Sequence, residues 1–320
     1  MDGTLDVIIP VFKKKNHLKR LLKALKKQTL KASKIIIVYA EGTEVPEDKE
    51  YLTGAGATLL SAGTSFTGEV YNTGLKESTG DMILFLDPDV FLTSEDMAEK
   101  LAEDLWKERT AAAFCRLIPS KKTPAKQRAA QHYLYPETSE VYDLKSVLAC
   151  GVRTFMHRNI VSLVNARILK ETGSYEMICL SYAEYLWCAR VLYAGYSVYY
   201  DGQVKAGFDL PAGLFHDLKE SFELAALKTM YPQVLGLNTG MALKTEEGTD
   251  SLLNVTEKDI YRAQYRYIKD SLKKKPGASF GAGLSCRAKC LGALLGRYYF
   301  RLPLSMNRKL CLHTEYWTGI

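Results

Sequence analysis

The stretch Thr79–Val90 reads TGDMILFLDPDV. A Thr-Gly turn feeds the unbroken apolar run Met82–Leu86, which stops abruptly at Asp87-Pro88-Asp89. A run this short, without polar alternation, fits a strand buried on both faces, as in a parallel sheet covered by helices. Ligands of such sheets bind in the crevice outside the carboxyl ends of the strands. Two carboxylates there, separated by a proline that fixes the backbone, make a site for a hard divalent cation. Mg²⁺ or Mn²⁺ is held in this way by one or two carboxylates plus the phosphates of a substrate. Taken alone, Asp87 and Asp89 equally fit a turn that merely ends a strand, since Asp and Pro both favour turns.

The chain on either side repeats the strand–helix alternation. Asp6–Pro10 reads as a first buried strand, and Asn16 as the cap of a helix whose Leu18, Leu21, Leu22 and Leu25 fall at helical spacing. The lysines between them make a solvated face, not a nucleic-acid site. Lys34–Val38 and Ala57–Leu60 are further strands, with the polar stretch Glu41–Glu50 between them, and a helix spans Glu69–Glu77. Thr93 or Ser94 caps a helix carrying Met97, Leu101 and Leu105, and Ala111–Ile118 is a strand stopped at Pro119. A polar, mobile linker leads to Tyr135-Pro136, Ile160–Leu169 reads as a strand, Tyr182–Ala194 as a helix ended by Gly195, and Ser197–Tyr200 as a strand. Beyond about Gly207 only helices follow: Leu214–Leu227, Thr256–Leu272 and Leu284–Phe300. The expected fold is α/β, a doubly wound sheet flanked by helices over residues 1–206, with a helical C-terminal region over 207–320.

At 320 residues and 47% hydrophobic content, the chain can bury a sizeable core. Its seven cysteines are odd in number and scattered, and its five histidines form no metal-spaced pair. No apolar signal segment opens the chain and no 18-residue uncharged apolar run exists, so a reducing, cytoplasmic location is expected. Asn254-Val255-Thr256 matches a glycosylation acceptor but reads as a helix-cap sequence in that setting. A Rossmann dehydrogenase is disfavoured, because Pro10-Val11-Phe12-Lys13 stands where G-x-G-x-x-G belongs.

Over nearly its whole length the sequence resembles the family 2 inverting glycosyltransferases, in particular their rhamnosyltransferase branch. The resemblance is carried by DVIIPVF at Asp6–Phe12, TSFTGEVYNTGLKESTGDMILFLDPDV, AFCRLIP at Ala113–Pro119 and HYLYPE at His132–Glu137. It continues through NIVSLVNARILKETG, YAEYLWCARVLYAGY at Tyr182–Tyr196 and RYYFRLPLSMNRKLCLHTEYW near the end. The resemblance implies a GT-A-type mixed sheet and a single displacement from a nucleotide sugar, dTDP-L-rhamnose or a UDP-sugar. The diphosphate would sit on Mn²⁺ or Mg²⁺ held by Asp87 and Asp89. Pro10, Phe12, Tyr39, Glu41, Asn72, Asp87 and Arg116 would line the donor, and a carboxylate across the ring would deprotonate the acceptor hydroxyl. Read alone, Arg116 is also a plain arginine beside a strand end.

The match departs from the family pattern at the site itself. The family's Y-x-E-D-x-L-W becomes Tyr182-Ala183-Glu184-Tyr185-Leu186-Trp187, one residue shorter, so Glu184 is the expected base and Tyr185 takes the aspartate's place. Glu184 also fits a helix-N-terminal acid favoured by the dipole. Where the family has an aspartate for the nucleotide base, Tyr39-Ala40-Glu41 stands, leaving stacking on Tyr39 or a bond to Glu41. The family's H-S-H is replaced around Gly207-Phe208-Asp209-Leu210, with Asp209 as the substitute metal ligand. Two readings follow: a sugar transferase building a bacterial surface polysaccharide or lipid-linked glycan, or an inert glycosyltransferase-like subunit that binds a partner enzyme or glycan. Finally, residues 269–309 hold ten Lys and Arg against the single acid Asp270, interleaved with apolar and aromatic residues. A basic helix of that kind is expected to lie on an anionic membrane surface without crossing it.

Overall fold

The computed structural model describes residues 3–13, 17–43, 49–155, 157–235, 257–273 and 276–318. Asn16, residues 44–48 of the polar stretch, Asn254–Thr256, Lys274 and Lys275, all named above, lie outside the described residues. The chain divides into two compact units, one of residues 1–120, 135–142 and 157–209, the other of 121–134, 143–156 and 210–320.

The first unit holds the sheet. Its strands are β1 (Leu5–Val11), β2 (Ala32–Tyr39), β3 (Ala57–Ser61), β4 (Met82–Leu86), β5 (Phe91–Leu92), β6 (Thr110–Ile118), β7 (Glu140–Tyr142), β8 (Val161–Asn165) and β9 (Ser197–Gly207). Their order is β3-β2-β1-β4-β8-β6-β9-β5, with β7 paired to β9. β1 to β4 run parallel, and β8 is antiparallel to both β4 and β6, so the sheet is mixed as the resemblance implied. Helices α1 (Leu18–Leu25), α2 (Lys49–Gly54), α3 (Thr67–Glu77) and α4 (Met97–Leu105) connect the first strands. Every residue of β1 and β4 is buried, which is what unbroken apolar runs require of central strands. α1 buries its four leucines and leaves the lysines outward.

Asp6 explains the turn ahead of β4. Fully buried, it accepts hydrogen bonds at 2.8 Å from the Ser78 hydroxyl and from the Thr79 and Gly80 N–H groups. The turn that launches the Asp87–Asp89 strand is therefore stapled to β1.

Three local expectations change. Ile160–Leu169 is not one strand: β8 ends at Asn165, whose side chain accepts from the Arg167 and Ile168 N–H groups and opens helix α7 (Ala166–Thr172). α4 is not capped by Thr93 or Ser94. Gln28, buried, reaches across to accept from the Ala98 N–H at 3.0 Å and donate to the Ser94 carbonyl at 2.7 Å. The expected mobile linker contains a helix, α5 (Ala125–Leu134), which starts directly after Pro124, a residue suited to a first helical turn.

α5 belongs to the second unit with α6 (Ser146–Cys150), which is followed by a 3₁₀ turn over Gly151–Phe155. The first unit also holds α8 (Ala183–Tyr193). The second unit continues with α9 (Leu214–Met230), α10 (Pro232–Leu235), α11 (Glu257–Ser271), α12 (Pro276–Arg297) and α13 (Leu304–Leu310). Glu223 of α9, fully buried, accepts from the Leu312 and His313 N–H groups at 2.7 Å each, and Lys219 donates to the Cys311 carbonyl. These contacts hold the chain end against α9.

Candidate active site

Because β1, β2 and β4 are parallel and in register, with Val11 beside Tyr39 and Ile8 beside Phe85, their carboxyl ends open on one edge of the sheet. Phe12 and Lys13, Ala40 and Glu41, and Asp87-Pro88-Asp89 all leave the sheet there.

Asp87 is half-buried, and its Oδ1 accepts the Asp89 N–H at 2.8 Å, folding the turn onto its own carboxylate. Burial pushes the Asp87 carboxyl up to about 6; the Asp89 N–H opposes this, the Asp89 charge adds to it, and Lys13 opposes it. Asp89 is engaged by α1: His17 Nδ1 lies 2.9 Å from its Oδ1, and Arg20 donates to its carbonyl at 3.0 Å. No second histidine stands at ligand spacing from His17. Its partner is a carboxylate 72 residues away.

Glu184 sits in the first turn of α8 and is buried. The residue before that helix, Tyr182, has φ 59°, a left-handed conformation costly for a non-glycine and found where a site over-determines the backbone. Tyr182 stacks on Tyr185 with ring centroids 4.8 Å apart, and Arg158 donates to the Tyr185 hydroxyl at 3.0 Å. Tyr185, 1% exposed, is thus a core residue, and Glu184 is the carboxylate this segment offers.

Asn72 and Tyr71 of α3 join the two halves. Asn72 donates to the Tyr175 carbonyl at 2.8 Å and accepts the Tyr175 N–H at 3.1 Å, so its amide fixes the segment leading into α8. Tyr71 packs on Phe85 and Tyr175 at 5.2 and 5.1 Å between centroids. Its hydroxyl is pushed well above its ordinary value, first by burial, then by Glu184, Tyr175, Asp87 and Cys179.

The remaining predicted residues are spread along the same unit. Pro10 is buried in β1 opposite Val38, and Phe12 is 40% exposed just beyond it. Tyr39 is 1% exposed, so its ring presents no open face. Burial pushes its hydroxyl up to about 12, and the hydroxyl has no hydrogen-bond partner among the described residues. Glu41 is exposed and is the accessible member of that pair. Arg116 is buried in β6 and donates to Glu137 Oε1 at 2.8 Å, which brings together the AFCRLIP and HYLYPE segments. Asp209 accepts the Ser120 N–H at 2.8 Å. It does not complete a set with Asp87 and Asp89: among the described residues no three His, Cys, Asp or Glu side chains group to hold a metal ion. A pair of carboxylates, one of them disfavoured in its charged form by burial, still suits a cation that takes its other ligands from phosphate.

A mixed sheet flanked by helices, with a carboxylate pair at the carboxyl end of a central strand, is a fold of the GT-A type. The solved mannosyltransferase PcManGT from Pyrobaculum calidifontis, in complex with GDP-Man and Mn²⁺, shares this fold. Its TM-score is 0.54 at 11% identity, covering 100% of this chain and 87% of that one. Residues 6–163 match the family model Glycosyl transferase family 2. It is 21% identical over 322 residues to the O-antigen chain rhamnosyltransferase RfbN of Salmonella typhimurium, covering 99% of this chain and 96% of that protein. It is 20% identical over 303 residues to WbaN of Salmonella anatum, also an O-antigen chain rhamnosyltransferase, covering 93% and 90%.

Proposed function

We propose that this glycosyltransferase transfers L-rhamnose from dTDP-L-rhamnose, with inversion, to a growing surface polysaccharide or lipid-linked glycan of a bacterium, acting on the cytoplasmic side of its membrane. The observation that carries the reading is the packing of Tyr71 on both Phe85 of β4, two residues before Asp87, and Tyr175, in the segment that leads to the buried Glu184 of α8. The near full-length likeness to two rhamnosyltransferases supports the choice of sugar.

Asp87 and Asp89 would hold the divalent cation, which supplies charge neutralisation for the departing diphosphate when bound. Glu41 is the accessible partner for the nucleotide base, and Phe12 and Pro10 flank it at the end of β1. Arg116 reaches the diphosphate by exchanging its bond to Glu137 for one to phosphate. Glu184 accepts the acceptor hydroxyl's proton as that oxygen attacks the sugar carbon from the face opposite the leaving group. Residues up to 206 carry this chemistry, and 207–320 form the helical appendage.

Glu184→Gln should keep donor binding and lower transfer by about 10²–10⁴, the range of a general base. Equal turnover in this variant moves the role to another group, with Asp209 tested next. The bond between Asp209 and Ser120, together with the burial of Tyr185, favours a second reading, a subunit that binds glycan or a partner enzyme without transfer. A coupled assay for release of dTDP separates the two.

A further inference from the structure

α12 is packed in the reverse of the usual sense. Its small residues face inward: Ala282 and Ala293 are buried, and a Cβ at Gly292 would lie 2.1 Å from the Leu218 carbonyl oxygen of α9. At Gly296 the distance to the Phe222 carbonyl oxygen would be 2.2 Å. The opposite stripe, followed at helical spacing from Phe280, runs through Leu284, Arg287, Leu291 and Leu294 to Tyr298. Its large residues are exposed: Phe280 71%, Leu291 48%, Leu294 53% and Tyr298 47%, with Phe300 following at 61%. A helix that packs in water turns its apolar side inward and its polar side out.

The charges on this stretch have one sign. Residues 276–314 contain no Asp or Glu. Lys289 is turned inward, 3.6 Å from Asp217 and 3.0 Å from the Gln264 side-chain oxygen, whereas Arg287, Arg297 and Arg301 are exposed. The Arg301 guanidinium lies over the rings of Tyr298 and Phe300, at 5.3 and 5.7 Å from their centroids. Cations above aromatic rings at the edge of an apolar stripe suit the headgroup level of a bilayer.

We propose that this face docks on an anionic lipid bilayer. Leu291, Leu294, Tyr298 and Phe300 enter the boundary between headgroups and acyl chains, and Arg287, Arg297 and Arg301 meet the lipid phosphates. A second copy of the same face would oppose arginines to arginines, with no acid in the stretch to pair them. Among the described residues no helix is long and apolar enough to cross a membrane, so α12 lies in the interface plane. The face uses no residue of the donor site, and its binding is read without any sugar transfer.

The test is sedimentation of the full chain with vesicles of phosphatidylcholine and phosphatidylglycerol, against vesicles of phosphatidylcholine alone, at low and high salt. The parent is expected to pellet with the anionic vesicles at low salt. Binding should fall at least about tenfold in high salt and in a Leu291→Glu, Leu294→Glu variant whose thermal melt matches the parent. If that variant does not fold, Arg287→Glu with Arg301→Glu reads the same face and should show the same loss. No binding by the parent at low salt overturns the proposal, as does undiminished binding by a folded variant. So does a parent dimer that the leucine variant splits while neither protein pellets with vesicles.

Discussion

Tyr71 shows what a linear reading reaches at the scale of single residues and where it stops. Asp87 and Asp89 were legible because both stand in one short string at the end of an apolar run, and Glu184 because it opens a helical pattern. The contacts that define their setting were not legible. His17 meets Asp89 across 72 residues, Arg116 meets Glu137 across 21, and Asn72 meets Tyr175 across 103. No spacing rule joins such pairs; the sheet order does. Asn72 illustrates the consequence. It was expected among donor-binding residues, and its amide is engaged on both sides by the Tyr175 backbone. Asn72→Ala should strand a buried N–H and carbonyl, costing about 1–3 kcal/mol, measurable by urea unfolding. Because Tyr175 leads into α8, kcat should fall more than donor affinity. A second residue-scale expectation concerns pH. Burial pushes the Asp104 carboxyl up to about 6, opposed by Lys107 and reinforced by a hydrogen bond with Asp201. A folded value above the unfolded one means the native state holds more protons between about pH 4 and 6, so Asp104 lowers stability as pH rises through that window. Asp104→Asn should remove this loss, making the variant's stability relative to the parent rise by on the order of 1 kcal/mol from pH 4 to 7. Asp87 also titrates near 6 but is common to both proteins and cancels in the comparison.

At the scale of elements, the buried parallel strands were the most legible part, because a strand wet on neither face has no choice but to be apolar throughout. Element ends were least legible. Asn165 stops β8 by capping α7, and the apolar residues Ile168 and Leu169 beyond it look the same in either structure. Gln28 caps α4 from a distant loop, so the local Thr93 and Ser94 gave a false cap. The α9–α12 pair was legible as two helices but not as a contact, since glycines in a helical pattern lower a helix reading without naming a partner. Their role follows from the close approach. Gly296→Ala would set a methyl 2.2 Å from the Phe222 carbonyl and 2.9 Å from the Ala225 side chain, both of α9. The helices must part, and the expected cost is about 1–3 kcal/mol or more in thermal or urea unfolding. An alanine at Gly277, where nothing lies within 4 Å of the added methyl, serves as the control and should leave stability unchanged or raised.

For the whole molecule, binding must select among nucleotides and separate a working transferase from an inert relative. A ligand that binds only the native state raises its melting point, by about 2.7 kcal/mol of stability at a hundredfold excess over Kd. For a chain this large that corresponds to a shift of several degrees. Donor recognition and catalysis then divide between named groups. Asp87 and Asp89 leave the sheet at β4, while Glu184 begins α8, so each can be changed without altering the other's strand or helix. With Mn²⁺ present, dTDP-L-rhamnose should raise the melting point more than UDP- or GDP-sugars. Asp89→Ala should erase the Mn²⁺-dependent part of that shift, whereas Glu184→Gln should leave it intact and lose only turnover. A parent that melts identically with every nucleotide sugar, with and without Mn²⁺, has no working donor site, and the non-catalytic reading then stands. A parent that shifts with dTDP-L-rhamnose yet transfers nothing to any saccharide acceptor retains donor binding alone, and the non-catalytic reading stands in that case too.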